Sequence, residues 1–149
     1  MVPSQKSEYA VRAVFELAKR EGSGPVKAAK IASAQVIPLR FLENILGQLR
    51  QAGVVESVRG KEGGYLLGRP VRDLAVGEVV RLIQGPMSAV DCAEDVGERR
   101  CTLRPGCVLL PMWERAHKAM MDVYDGTNFK DLLEQERAAN ECEAVNYSI

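Results

Sequence analysis

Long apolar runs are missing from this 149-residue chain. No stretch approaches the roughly 18 residues that a membrane-spanning helix needs. Met1 leads into polar residues and not into the basic, apolar, small-residue pattern of a secretion signal. A cytoplasmic protein is therefore expected. Histidine occurs once, at position 117. No Ser/His/Asp set and no phosphate-cradling glycine loop accompanies it, so the usual equipment of hydrolases and nucleotide-consuming enzymes is absent. Aromatics make up only 5% of the chain, yet the hydrophobic fraction of 46% suffices for one core. Closely spaced cysteine pairs of the kind that hold structural zinc are also missing.

Net charge is missing too, but its absence conceals an asymmetry. Residues 1–72 hold 12 Lys/Arg against 6 Asp/Glu, a balance of +6, and residues 73–149 hold 8 against 14, a balance of −6. A basic half joined to an acidic half suggests that only the first half meets a polyanion.

Helical periodicity opens the chain. Ala10, Val14, Leu17 and Ala18 share one face of a helix predicted over 4–21, which Gly22-Ser23-Gly24-Pro25 ends. A short helix is predicted over 26–34, with Ala28, Ile31 and Ala32 inward. After a three-residue turn, Pro38 suits the first position of a third helix reaching about Ala52, closed by Gly53. Its stripe is Leu42, Ile45, Leu46 and Leu49. Two helices joined by so short a turn are the skeleton of a helix-turn-helix.

Val54–Val58 reads as a strand, Arg59-Gly60-Lys61-Glu62-Gly63-Gly64 as a turn, and Tyr65-Leu66-Leu67 as a returning strand. A hairpin placed there is a wing. Further helices are predicted over 76–84, from about 108 to Tyr124 (Leu109, Met112, Trp113, Ala116, Met120 and Val123 on one face, Pro111 in the first turn) and over 129–139. The fold class is mainly α: a winged helix-turn-helix with a two-stranded hairpin and a long C-terminal helix.

The stripe on the third helix turns Pro38, Arg40, Phe41, Glu43 and Asn44 outward near its N-terminus, where such helices reach base edges. Arg40 suits a guanine, Asn44 an adenine, and Glu43 a cytosine amine or Arg40 itself. Arg59 starts the wing turn and fits a narrow minor groove, with Lys61 beside it. Lys27, Lys30 and Arg50 are candidate phosphate contacts, which position without specifying. The expected partner is double-stranded DNA, with no membrane.

Three of the four cysteines crowd into sixteen residues, as Cys92-x8-Cys101-x5-Cys107. A cytosolic disulfide framework is not expected. Thiolates in a wide, glycine-dotted loop suit an iron–sulfur cluster, and Arg99, Arg100 and Arg104 would offset its negative charge. A fourth ligand is not evident from spacing. His117 lies about 15 Å along a helix from Cys107 and reads as a surface or interface residue. Cys142 falls in a tail, while Glu8, Asp91 or an external ligand remain alternatives.

These residues resemble the Rrf-type winged-helix regulators, the family of the iron–sulfur cluster regulator IscR and the nitric-oxide sensor NsrR. The likeness runs from about residue 5 to 135. It rests on Tyr9-Ala10-Val11, Phe41-Leu42-Glu43, the wing Val58-Arg59-Gly60-Lys61-Glu62-Gly63-Gly64-Tyr65-Leu66-Leu67, the run Ala75–Val79, and the cysteine loop leading into Met112-Trp113. The resemblance implies a homodimer joined by the long helix and a palindromic operator. It implies a cluster that senses iron, cluster supply, nitric oxide or redox state, with a four-iron form ahead of a two-iron one. Cys92, Cys101 and Cys107 match its cluster cysteines, and Glu43 and Arg59 match DNA-reading positions. The chain departs from IscR in having Leu110 where that type has histidine. Glu8 instead matches the acid that completes the NsrR-type cluster from the partner subunit.

The expected division is a DNA-binding domain at 1–85, a sensor loop at 86–107, a dimerisation helix and short terminal helix at 108–140, and a loose tail at 141–149. Repression is the expected mode. The alternative is a cluster-free regulator of the same fold, controlled by thiol oxidation or by a partner protein.

Overall fold

A computed structural model describes residues 3–87 and 106–146, with side chains as far as Glu141. Helices α1 (Gln5–Ala18), α2 (Ala28–Gln35) and α3 (Leu39–Gln51) precede strands β1 (Val55–Val58) and β2 (Gly64–Leu67). A 3₁₀ turn at Val71–Asp73 leads to α4 (Val76–Gln84), and α5 (Leu110–Gly126) and α6 (Phe129–Asn146) complete the chain.

Ser4 starts α1, its hydroxyl accepting from the Ser7 N–H at 3.2 Å, as an N-cap should. Ala10, Ala13, Val14 and Leu17 form the inward face of α1. Against it lie Leu42, Ile45, Leu46 and Leu49 of α3 and Val76, Val79 and Val80 of α4, all buried. The α3 stripe stands where its 3-1-3 spacing predicts. Pro38 sits one place earlier than expected, at the N-cap itself. Gly53, with φ +73°, reverses the chain after α3, a conformation glycine adopts without a Cβ clash.

The strands pair antiparallel, Val55 opposite Leu67 and Val58 opposite Gly64. The short helix expected from residue 26 begins instead at Ala28. Val26 is drawn out of it by a bridge to β2: Val26 and Tyr65 exchange N–H to carbonyl bonds, both 2.8 Å. That bridge explains Gly64, where a Cβ would lie 2.5 Å from the Val26 oxygen, while the hairpin turn itself explains Gly63, where a Cβ would lie 2.3 Å from the Val58 oxygen.

The C-terminal helices return to this core. The Val76 N–H donates to the Thr127 carbonyl at 2.9 Å, and the Phe129 N–H donates to the Leu74 carbonyl at 3.1 Å. Phe129 is fully buried. Arg81 and Asp125 pair at 2.7 Å across α4 and α5, where Gly77 leaves room for the Asp125 carboxylate.

Two expectations need correction. The apolar residues of α5 do not form one stripe: Met120, Met121 and Tyr124 pack partly against the core, whereas Leu109, Met112, Ala116 and Val123 are exposed. His117, expected at a surface or interface, is half-buried. Helix α6 continues to Asn146, because the residues after Ala139 include no breaker. Of the cysteine loop, Cys92 and Cys101 lie outside the described residues.

Phe129→Ala should lower stability by about 3–5 kcal/mol, the usual cost of emptying a buried phenylalanine site. Urea denaturation of the purified protein measures it. A loss below about 1 kcal/mol would show that this ring does not fasten the C-terminal helices.

Candidate nucleic-acid interface

Burial of one α3 face fixes what the other face offers. Arg40, Glu43 and Asn44 occupy its first two turns and are exposed. Arg59 and Lys61 are exposed in the turn between β1 and β2, where Gly60 has φ +111°. Lys27 and Lys30 are exposed at the start of α2. Arg50 closes α3, its Nη1 donating to the Ser57 hydroxyl of β1 at 3.3 Å, so it ties the helix end to the hairpin.

Asn44 and its neighbour Phe41 also have partners within the protein. Gln48 donates to Asn44 Oδ1 at 3.0 Å and accepts from Lys6 Nζ at 3.0 Å. That chain, from α1 across to α3, sets the orientation of the Asn44 amide. The i,i+4 spacing of Asn44 and Gln48 was the available signal. Phe41 is also less free than its position suggests. Tyr9 of α1 meets it edge-on, with ring centroids 5.7 Å apart.

A second network holds the turn between α2 and α3. Glu16 is 4% exposed and accepts from Arg20 at 2.8 and 3.0 Å and from the Gln35 amide at 2.9 Å. A buried carboxylate needs such pairing. Arg12 donates to the Gln35 carbonyl and approaches Glu8 at 3.6 Å. The turn itself passes through Val36 at φ 52°, ψ 51°, a left-handed conformation that crowds a β-branched side chain.

Glu8 is 62% exposed beside Arg12. Cys107 is a free, half-exposed thiol just before α5, and its carbonyl accepts from the Leu110 N–H. Among the described residues no three His, Cys, Asp or Glu side chains converge as a metal site. An accessible thiol at the end of the cysteine loop suits thiolate ligation, the chemistry an iron–sulfur cluster requires. No helix among the described residues is long and apolar enough to cross a membrane.

Comparison with known proteins matches residues 3–135 to the Rrf2 family, described as iron-dependent transcriptional regulators. The regulator CymR of Bacillus subtilis is 34% identical over 129 residues, covering 87% of each chain. The solved structure of T. potens IscR superposes with a TM-score of 0.76 at 33% identity, over 93% of this chain and 90% of that one. The structure of CymR, the global cysteine regulator of B. subtilis, superposes with a TM-score of 0.74 at 32% identity, over 91% of this chain and 98% of that one.

Val36 is 80% exposed, so replacing it sacrifices little packing. Val36→Gly should raise stability by about 1 kcal/mol, the left-handed strain relieved less the glycine entropy. Thermal unfolding measures the change, and a destabilised variant would contradict strain at this turn.

Proposed function

The chain belongs to the Rrf2 family of transcriptional regulators, a family of DNA-binding proteins and not of enzymes, and from that premise we propose a cytoplasmic homodimer that represses at a palindromic operator and is switched by an iron–sulfur cluster. The observation that carries the DNA-reading part is the exposed α3 face beside a glycine-tipped, arginine-bearing hairpin. Helix α3 enters the major groove, with Arg40, Glu43 and Asn44 at base edges. Arg59 enters the adjacent minor groove with Lys61 nearby, while Lys27, Lys30 and Arg50 meet phosphates.

Support for a dimer comes from α5. Leu109, Met112, Ala116, Ala119 and Val123 follow a 3-4-3-4 spacing and are all exposed. That is the seam of a two-helix coiled coil, with small residues at 116 and 119 permitting close approach. A two-fold axis through this seam would give two α3 helices for two half-sites about one helical turn apart.

Cys92, Cys101 and Cys107 would hold the cluster, of the four-iron type, and Glu8 of the partner subunit would complete it. When bound, such a cluster supplies a redox- and nitric-oxide-sensitive centre that can be altered or lost. The residues here can pass its state on. Arg12 contacts both Glu8 and the carbonyl of Gln35, so engagement of Glu8 elsewhere changes a restraint on the turn that aims α3. The second reading, a cluster-free regulator governed by thiol oxidation, is favoured by the accessible free thiol of Cys107 and by the likeness to CymR.

Anaerobic purification tests the cluster. The expected result is visible iron–sulfur absorption with matching iron and acid-labile sulfide, lost in a Cys92/Cys101/Cys107→Ala variant. Colourless protein that stays so after reconstitution would favour the thiol reading. For the seam, Ala119→Glu should yield monomers in sedimentation equilibrium, and an intact dimer would place the interface elsewhere. For DNA, Arg59→Ala should cost about 1–3 kcal/mol of operator affinity, and Lys30→Ala should lower the slope of log K against log salt by about 1. Unchanged affinity in mobility shifts with both variants would contradict the docking.

A further inference from the structure

Below the end of α4 lies a recess that DNA reading and the cysteine loop leave unused. It is about 390 Å³ and is bounded by Arg81, Gly85, Pro86, Met87, His117 and Met121. His117 and Met121 are one turn apart on α5 and so share a face. Met87 closes the recess just past α4 and is 2% exposed. The Nδ1 of His117 is buried and has no hydrogen-bond partner among the described residues.

That nitrogen is out of place in a purely packing role. Buried polar atoms are nearly always paired, and leaving one unpaired costs its full desolvation. A neutral imidazole nitrogen with a free lone pair is also a metal ligand. Among the described residues, the other donor side chains lining the recess are two thioethers, no carboxylate lines it, and the one cation there, Arg81, is paired with Asp125 at 2.7 Å. Hard ions such as Mg²⁺ or Ca²⁺ need oxygen ligands, whereas thioether sulfur with imidazole selects Cu(I).

We infer that Met87, His117 and Met121 form a Cu(I) site, with His117 Nδ1 and the two methionine Sδ atoms as ligands. It adjoins the end of α4 at Met87, so its occupant joins that end to the inward face of α5. The inference is independent of the proposed cluster.

The test uses the full chain with its four cysteines replaced by serine, so that thiols cannot capture the metal. Cu(I) is supplied anaerobically from a chromophoric chelator of known affinity. One equivalent should bind, and the proton signals of the imidazole should shift. These signals are unambiguous, because the chain has a single histidine. Met121→Leu, which conserves volume, and His117→Phe should each weaken binding at least tenfold. A folded cysteine-free chain that takes up no Cu(I), or that binds it equally in both variants, would overturn the site. If the cysteine-free chain fails to fold, Cu(I) is added to wild type beyond saturation of its thiols. A shifted imidazole signal then supports the site and an unmoved one overturns it.

Discussion

Four aliphatic side chains, Leu42, Ile45, Leu46 and Leu49, are withdrawn completely from water on one side of α3. Each contributes roughly 1.5–3 kcal/mol by that burial, so rotating α3 about its axis would forfeit most of the core. The helix therefore has one permitted orientation. Arg40, Glu43 and Asn44 face outward as a consequence, without any specific contact being needed to turn them there. The Lys6–Gln48–Asn44 chain and the Tyr9–Phe41 contact then refine individual side chains on a helix already aimed.

The hairpin and the C-terminal helices hang on the same core by backbone pairing. Val26 fastens β2 to the stretch before α2, which sets the hairpin beside α3. Ala75 and Asn128 form a second bridge, and Phe129 fills the space behind it. Through these few bonds a movement of α5 reaches α4, and α4 packs on both α1 and α3. Two-state packing changes of this sort, and not gradual deformation, are how interfaces transmit a signal. The basic half and the acidic half are joined at this seam, although their charges differ in sign.

Much of this architecture is legible in the residues themselves. The α3 stripe, Gly60 in the wing turn and the proline-led start of α3 each follow from a single local rule, helical periodicity, left-handed φ or a missing N–H. What escaped was decided by partners distant in sequence. Val26 looks helical until Tyr65 claims its backbone. Glu16 has a local partner in Arg20, and the Gln35 amide of α2 adds a second from far along the chain. The two faces of α5 merge into one apolar impression, because one is covered by the core and the other is bare in a single chain. Of the candidate site, the residues expected to face DNA are exposed. Glu8 and Cys107 are also accessible, while Cys92 and Cys101 fall outside the described residues and rest on resemblance.

The switch can be tested by footprinting the anaerobic, cluster-loaded dimer and the chelator-stripped protein on the same operator fragment at matched concentration and salt. Protection of two half-sites about one helical turn apart, present in one form and weakened at least tenfold in the other, is the predicted result. Equal protection by both forms would contradict a cluster that governs the α3 helices.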